Sequence, residues 1–112
     1  MQLHARDFYI LILGIIMSII AFPKEMVAGE NRCALLPSNV KAYTLLGSKV
    51  LVESGLGENL YIDDESYEQA GALIIKDRNE LFQQANIVLS IHKLPQQELA
   101  QLADKTVISF LD

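Results

Sequence analysis

From residue 17 onward, short apolar runs alternate with segments of helical character. Ile19 to Phe22 reads as a buried first strand, followed by a polar loop from Lys24 to Asn31. Pro37 and Ser38 open a helix to about Leu46, with Val40, Tyr43 and Leu46 at helical spacing and Gly47 as the stop. Lys49 to Glu53 (KVLVE) is β-branched and apolar, a second strand, and Ser54-Gly55-Leu56-Gly57 is a loop. Asp63 or Asp64 caps a helix to Ala70, closed by Gly71, and Ala72 to Ile75 is a short third strand. Asp77 with Glu80 three residues on has the spacing of a capping box, and that helix ends near Ala85. Ile87 to Ile91 is a fourth strand. Pro95 starts another helix with Leu99 and Leu102 inward, and Thr106 to Leu111 (TVISFL) is a last strand.

The order β-α-β-α-β-α-β-α-β, with short links, predicts parallel pairing. The expected fold is α/β: an open parallel sheet with helices on both faces, a flavodoxin-like or Rossmann-like half-domain. No internal repeat or interdomain linker interrupts it.

Phe8 to Phe22 is apolar apart from Gly14 and Ser18. As a helix it would span about 22 Å, short of a hydrocarbon core of about 30 Å. Its length suits a signal-peptide core and Arg6 lies upstream, but Pro23-Lys24-Glu25 follows instead of a small-x-small cleavage site. We expect residues 1–16 to be an N-terminal extension and Met17 to open the folded domain, residues 17–112. A targeting signal and a membrane anchor are the alternatives for the head.

The 112 residues suit one domain with a modest core, not a substrate domain plus a full dinucleotide-binding domain. The formal net charge is −5, with Arg and Lys scattered singly, so nucleic acid is excluded as a partner on electrostatic grounds. An anionic nucleotide would have to be held by a few placed groups. The single cysteine, Cys33, forms no internal disulfide and no zinc spacing; a small buried hydrophobe is its expected role.

Gly55-x-Gly57 follows a strand, but position 60, where a third glycine would complete the dinucleotide fingerprint, is Leu60, so a glycine-rich turn is expected. Asp63-Asp64-Glu65 reads as a helix-start cluster; no metal site is expected. Loops beyond the carboxyl ends of parallel strands line ligand crevices. Arg32 lies in such a loop, and its planar fork matches carboxylate or phosphate; a surface or structural ion pair is the other reading. His92 and Lys93 follow the fourth strand at a crevice edge, where histidine could exchange protons; a solvated loop pair is the alternative. No catalytic residue is assigned.

The stretch IAFPKEMVAGENRCALLPSNVKAYTLLGSKVLVESGLGENLYIDDESYEQAGA resembles the opening of the alanine dehydrogenase and NAD(P) transhydrogenase family. That opening runs strand, Pro-Lys-Glu, a Gly-Glu-x-Arg-Val-Ala loop, Thr/Ser-Pro, a helix ending Leu-Gly, and Val-x-Val-Glu-x-Gly-x-Gly; IVLSIHKLP and TVISFL are similar to its next two strands. The resemblance implies a substrate-side domain, incomplete at its C-terminus, with NAD(H) bound mainly by a Rossmann domain missing from this chain. It implies that Arg32 matches an arginine that holds a substrate carboxylate in alanine dehydrogenases. Ser90 stands where those enzymes carry a lysine, unless a one-residue shift lets His92 or Lys93 substitute, and Asp112 where they carry a histidine. Leu36 replaces the usual helix-capping Thr or Ser. These departures, with the Val-Ile-Ser-Phe-Leu ending, favour the N-terminal segment of an NAD(P) transhydrogenase alpha subunit. That family member passes hydride between NADH and NADP, coupled to proton translocation, with membrane and beta subunits as partners. Homo-oligomers and a cytoplasmic location, peripheral to the inner membrane, are implied too. An alanine or saccharopine-type dehydrogenase domain, and a truncated, non-catalytic remnant acting as an interaction module, are the alternatives.

Overall fold

The structure is a computed structural model and describes residues 18–111; the 1–16 extension, Met17 and Asp112 lie outside the described residues. Five strands alternate with four helices: β1 (Ile19–Phe22), α1 (Pro37–Leu45), β2 (Lys49–Glu53), α2 (Asp64–Ala70), β3 (Leu73–Ile75), α3 (Arg78–Gln84), β4 (Ile87–His92), α4 (Gln96–Gln101) and β5 (Thr106–Leu111). They form one parallel sheet in the order β3-β2-β1-β4-β5. The expected α/β architecture is therefore present.

The first strand of the chain is the middle strand of the sheet. Ile20 pairs with Val50 of β2 on one side and Ile87 of β4 on the other. Such a strand is covered on both faces, which is why IIAF carries no polar residue; Ile20, Ala21 and Phe22 are all buried. Side-chain alternation divides the core in two. Ile20, Phe22, Val50 and Val52 pack with Val40 of α1 and Tyr67 of α2, while Ala21, Leu51 and Val88 pack with Leu81 and Phe82 of α3 and with Leu102 after α4. Beyond β4 the α1/α2 side of the sheet is bare among the described residues, and Ile108 and Phe110 stand partly exposed there.

The caps follow local chemistry. The Asp63 carboxylate accepts from the Ser66 backbone N–H, and the Asp77 carboxylate from those of Asn79 and Glu80. The Asp77–Glu80 spacing delivers only half of the expected capping box, because the Glu80 side chain turns to Gln84 instead. Leu36 has no polar side chain for α1; Asn39 compensates by accepting the Leu36 N–H at 3.1 Å. Leu46, at helical spacing with Val40 and Tyr43, is exposed because it already lies past the last turn. No described helix is long and apolar enough to cross a membrane.

Candidate functional site

Strand order reverses at β1, since β1 leads to β2 and β3 on one side while β4 and β5 fill the other. In an open α/β sheet the crevice beyond the carboxyl ends at this point is where ligands bind. The loop leaving β1 and the end of β4 meet there, held by the Glu25 carboxylate, which accepts the backbone N–H groups of Ile91 and His92 at 2.8 and 3.1 Å.

Glu30 is the hub. Its carboxylate accepts from Arg32 Nε and Nη2, the latter at 2.7 Å, and from the Arg32 backbone N–H. His92 Nε2 lies 2.7 Å from Glu30 Oε1. An ionised carboxylate only accepts, so Nε2 carries the hydrogen. The Arg32 guanidinium, then its backbone N–H, and also His92, hold the Glu30 carboxyl down at about 2. Glu30 in turn raises the Arg32 guanidinium above its ordinary value. Burial is unequal: the Glu30 side chain is 7% exposed and that of Arg32 62%. The anion is thus sealed inside, and the arginine presents its outer edge to solvent.

Beside this cluster runs a second one. Arg78, at the start of α3, donates to Glu53 Oε1 at the end of β2, to both carboxylate oxygens of Glu98 in α4, and to the Lys24 carbonyl after β1. Burial opposes its charge, and the carboxylates of Glu98 and Glu53 more than offset that and hold the guanidinium above its ordinary value. One side chain therefore ties four elements together at the carboxyl edge. Lys24, Glu25, Arg78, His92 and Lys93 border a cleft of about 140 Å³.

Of the residues singled out in the sequence, Arg32 and His92 meet on one carboxylate. Lys93 is exposed at the mouth of the cleft and does not join them. His92 closes β4 instead of following it. Ser90, at the expected lysine position, is buried, donates its hydroxyl to the His92 carbonyl at 2.7 Å, and lies 3.4 Å from the Ser109 hydroxyl. Gly55 and Gly57 make a turn, as expected. Gly55 has a φ of +89°, and a Cβ on Gly57 would come within 2.7 Å of Ile62 Cβ. In the acidic run, the Asp64 carboxylate accepts from the Ser54 hydroxyl and the Gly55 N–H, a structural task. Cys33 is only partly buried and rests against Tyr67, whose hydroxyl donates to the Leu35 carbonyl; burial, then Cys33, push the Tyr67 phenol well up. The described residues contain no group of three or more potential metal ligands. Sequence reasoning missed Glu25, Glu30, Glu53, Arg78 and Glu98. Only Glu30 carried a local signal, its place two residues before Arg32.

The profile of the family described as "Alanine dehydrogenase/PNT, N-terminal domain" matches residues 21–112. An alanine dehydrogenase of Methanococcus maripaludis is 40% identical over 73 residues, which are 65% of this chain and 20% of that enzyme. The first of the polypeptides that make up the NAD(P) transhydrogenase alpha subunit of Rhodospirillum rubrum is 38% identical over 74 residues, 66% of this chain and 19% of that protein. The crystal structure of a transhydrogenase from Sinorhizobium meliloti superposes with a TM-score of 0.73 at 30% identity, over 81% of this chain and 27% of the other. The chain thus spans about a fifth to a quarter of the length of these relatives.

Proposed function

The chain belongs to the alanine dehydrogenase/PNT N-terminal domain family, and on that basis we propose that it supplies the substrate-side wall of a hydride-transfer cleft in an oxidoreductase of the transhydrogenase alpha type. Arg32 carries this reading. Its guanidinium is held by Glu30 at the carboxyl edge of β1 and β4, with its outer edge toward solvent, where an anionic part of a ligand can be met without a general positive field. NAD(H), bound mainly by a domain outside this chain, would supply the hydride. Arg32, with His92 behind Glu30, would orient what faces it. Ser90 favours the transhydrogenase type, because its buried hydroxyl offers no cation for an amino-acid carboxylate at the position where alanine dehydrogenases carry a lysine. On the same reading the partners are membrane and beta subunits and further copies of the chain, with the protein peripheral to a membrane on its cytoplasmic side.

An amino-acid dehydrogenase domain is the second reading. It draws on the exposed Arg32 fork, equally suited to a carboxylate, and on the 40% identity to the Methanococcus maripaludis alanine dehydrogenase.

Titration of the isotope-labelled chain by NMR separates the two. NADH at millimolar concentration should shift the amides of residues 24–32 and 91–93, while L-alanine and pyruvate leave them unmoved up to about 20 mM. Saturable shifts with pyruvate would move the protein to the dehydrogenase reading. NADH-induced shifts confined to residues away from the carboxyl edge would reject the cleft wall itself.

A further inference from the structure

Glu30, Arg32 and His92 form a unit with one anion and two donors. With a neutral imidazole its net charge is zero; with an imidazolium it is +1. Only the anion is sealed, since the side chains of Arg32 and His92 are 62% and 25% exposed against 7% for Glu30. Arg32 spends Nε and one edge of Nη2 on Glu30, and among the described residues its Nη1 takes no partner. An incoming oxyanion can therefore dock on the outer edge of the fork without displacing Glu30.

We infer that Arg32, Glu30 and His92 are one oxyanion-binding unit in which Arg32 makes the contact and His92, acting through Glu30, sets the affinity by its charge. The inference rests on the reading of this edge as a ligand cleft. It names the ligand chemistry, a carboxylate or a phosphate, and makes His92 a positioning and specificity-setting residue.

The surrounding charges leave the imidazole as the variable element. From the β1–α1 loop, Lys24, Glu25, Glu30 and Arg32 face this edge. Glu25 is engaged with the backbone of Ile91 and His92, and Lys24 with Glu58. From α3 comes Arg78, neutralised by Glu53 of β2 and Glu98 of α4. Lys93 follows His92 directly and is exposed. β5 adds only Ser109 and Leu111 among its described residues near this end. Of these side-chain types only histidine ordinarily changes charge between about pH 5.5 and about pH 8.

Binding of sulfate and of pyruvate, neither of which titrates in that range, should be measured on the whole chain by calorimetry at constant ionic strength, at about pH 5.5 and about pH 8. Wild type should bind its preferred probe about fivefold tighter at the lower pH, the size expected for one added charge roughly 7 Å away in a partly solvated site. Preference for sulfate would identify a phosphate-bearing ligand, and preference for pyruvate a carboxylate. His92→Gln, which keeps an N–H donor for Glu30, should bind equally at both pH values, and Arg32→Ala should abolish binding at both.

Binding that needs Arg32 but keeps its pH dependence in His92→Gln overturns this inference and leaves the cleft reading standing. Absent binding in wild type, or full binding in Arg32→Ala, overturns both. The ring resonances of His92 give an independent measure that does not depend on how a variant folds. Saturating probe should raise the imidazole midpoint by the same factor that pH changes affinity, and an unmoved midpoint rejects the coupling.

Discussion

Glu30 is nearly sealed from solvent while Arg32, which it orients, is largely exposed, so the carboxylate fixes the fork and the fork faces outward. A carboxyl held at about 2 has a pH signature of definite sign. Its folded value lies below its unfolded one, so its stabilising contribution is complete above the ordinary carboxylate range near 4.5 and fades as pH falls toward 2. Wild type should therefore lose more stability than Glu30→Gln between those limits in urea titrations at several pH values; parallel curves would show that Glu30 is not ionised by its neighbours. Arg78 has a different role, because it holds the scaffold. Removing it strands two mostly buried carboxylates and the Lys24 carbonyl, and Arg78→Ala should cost about 3 kcal/mol in chemical denaturation. A loss under about 1 kcal/mol would mean that water replaces the guanidinium freely. The sequence made Arg32 visible as a loop residue after a strand and His92 as a residue at a strand end. It could not reveal that both rest on Glu30, because His92 is 62 positions away and only the β1–β4 pairing brings it close. Arg78, Glu53 and Glu98 were invisible for the same reason, being separated by 20 and 25 residues with no local pattern linking them.

At the level of elements, legibility was high because each signal is local. β1, β2 and β5 coincide with apolar runs, and Asp63 and Asp77 stand at the caps their residue types favour. Boundaries drifted where tertiary contact decides them. Pairing of His92 with Leu111 extends β4 by one residue, and β3 begins at Leu73 instead of Ala72 because its pairing with β2 starts at Leu51. The contrast between two caps is measurable. Asp77→Ala should destabilise by about 1 kcal/mol, since two N–H groups lose their acceptor. Leu36→Ser should stabilise by roughly 0.5–1 kcal/mol, because an extended residue before Pro37 is where a hydroxyl caps a helix. Thermal melts of both variants test the pair, and a stabilising Asp77→Ala or a destabilising Leu36→Ser would reject the assignment.

For the whole molecule, the chain carries a sheet, two half-cores and one arginine fork, but no glycine-rich turn of the kind that cradles a pyrophosphate, since Gly55 and Gly57 serve a tight turn against Ile62. The 112 residues alone should bind NADH no better than about millimolar; micromolar affinity by calorimetry would show a nucleotide site that this architecture does not account for. The order β3-β2-β1-β4-β5 has a consequence for how the protein is made. The strand synthesised first ends in the centre, and its second neighbour, Ile87, is 67 positions downstream of Ile20. As the chain leaves the ribosome, β1 can zip to β2 early, yet its other backbone edge stays open until β4 emerges. During that interval an uncharged, fully apolar edge is offered to any passing strand. The nascent polypeptide is thus most vulnerable to misassembly midway through synthesis, and shielding by a chaperone matters most while residues 54–86 are being translated.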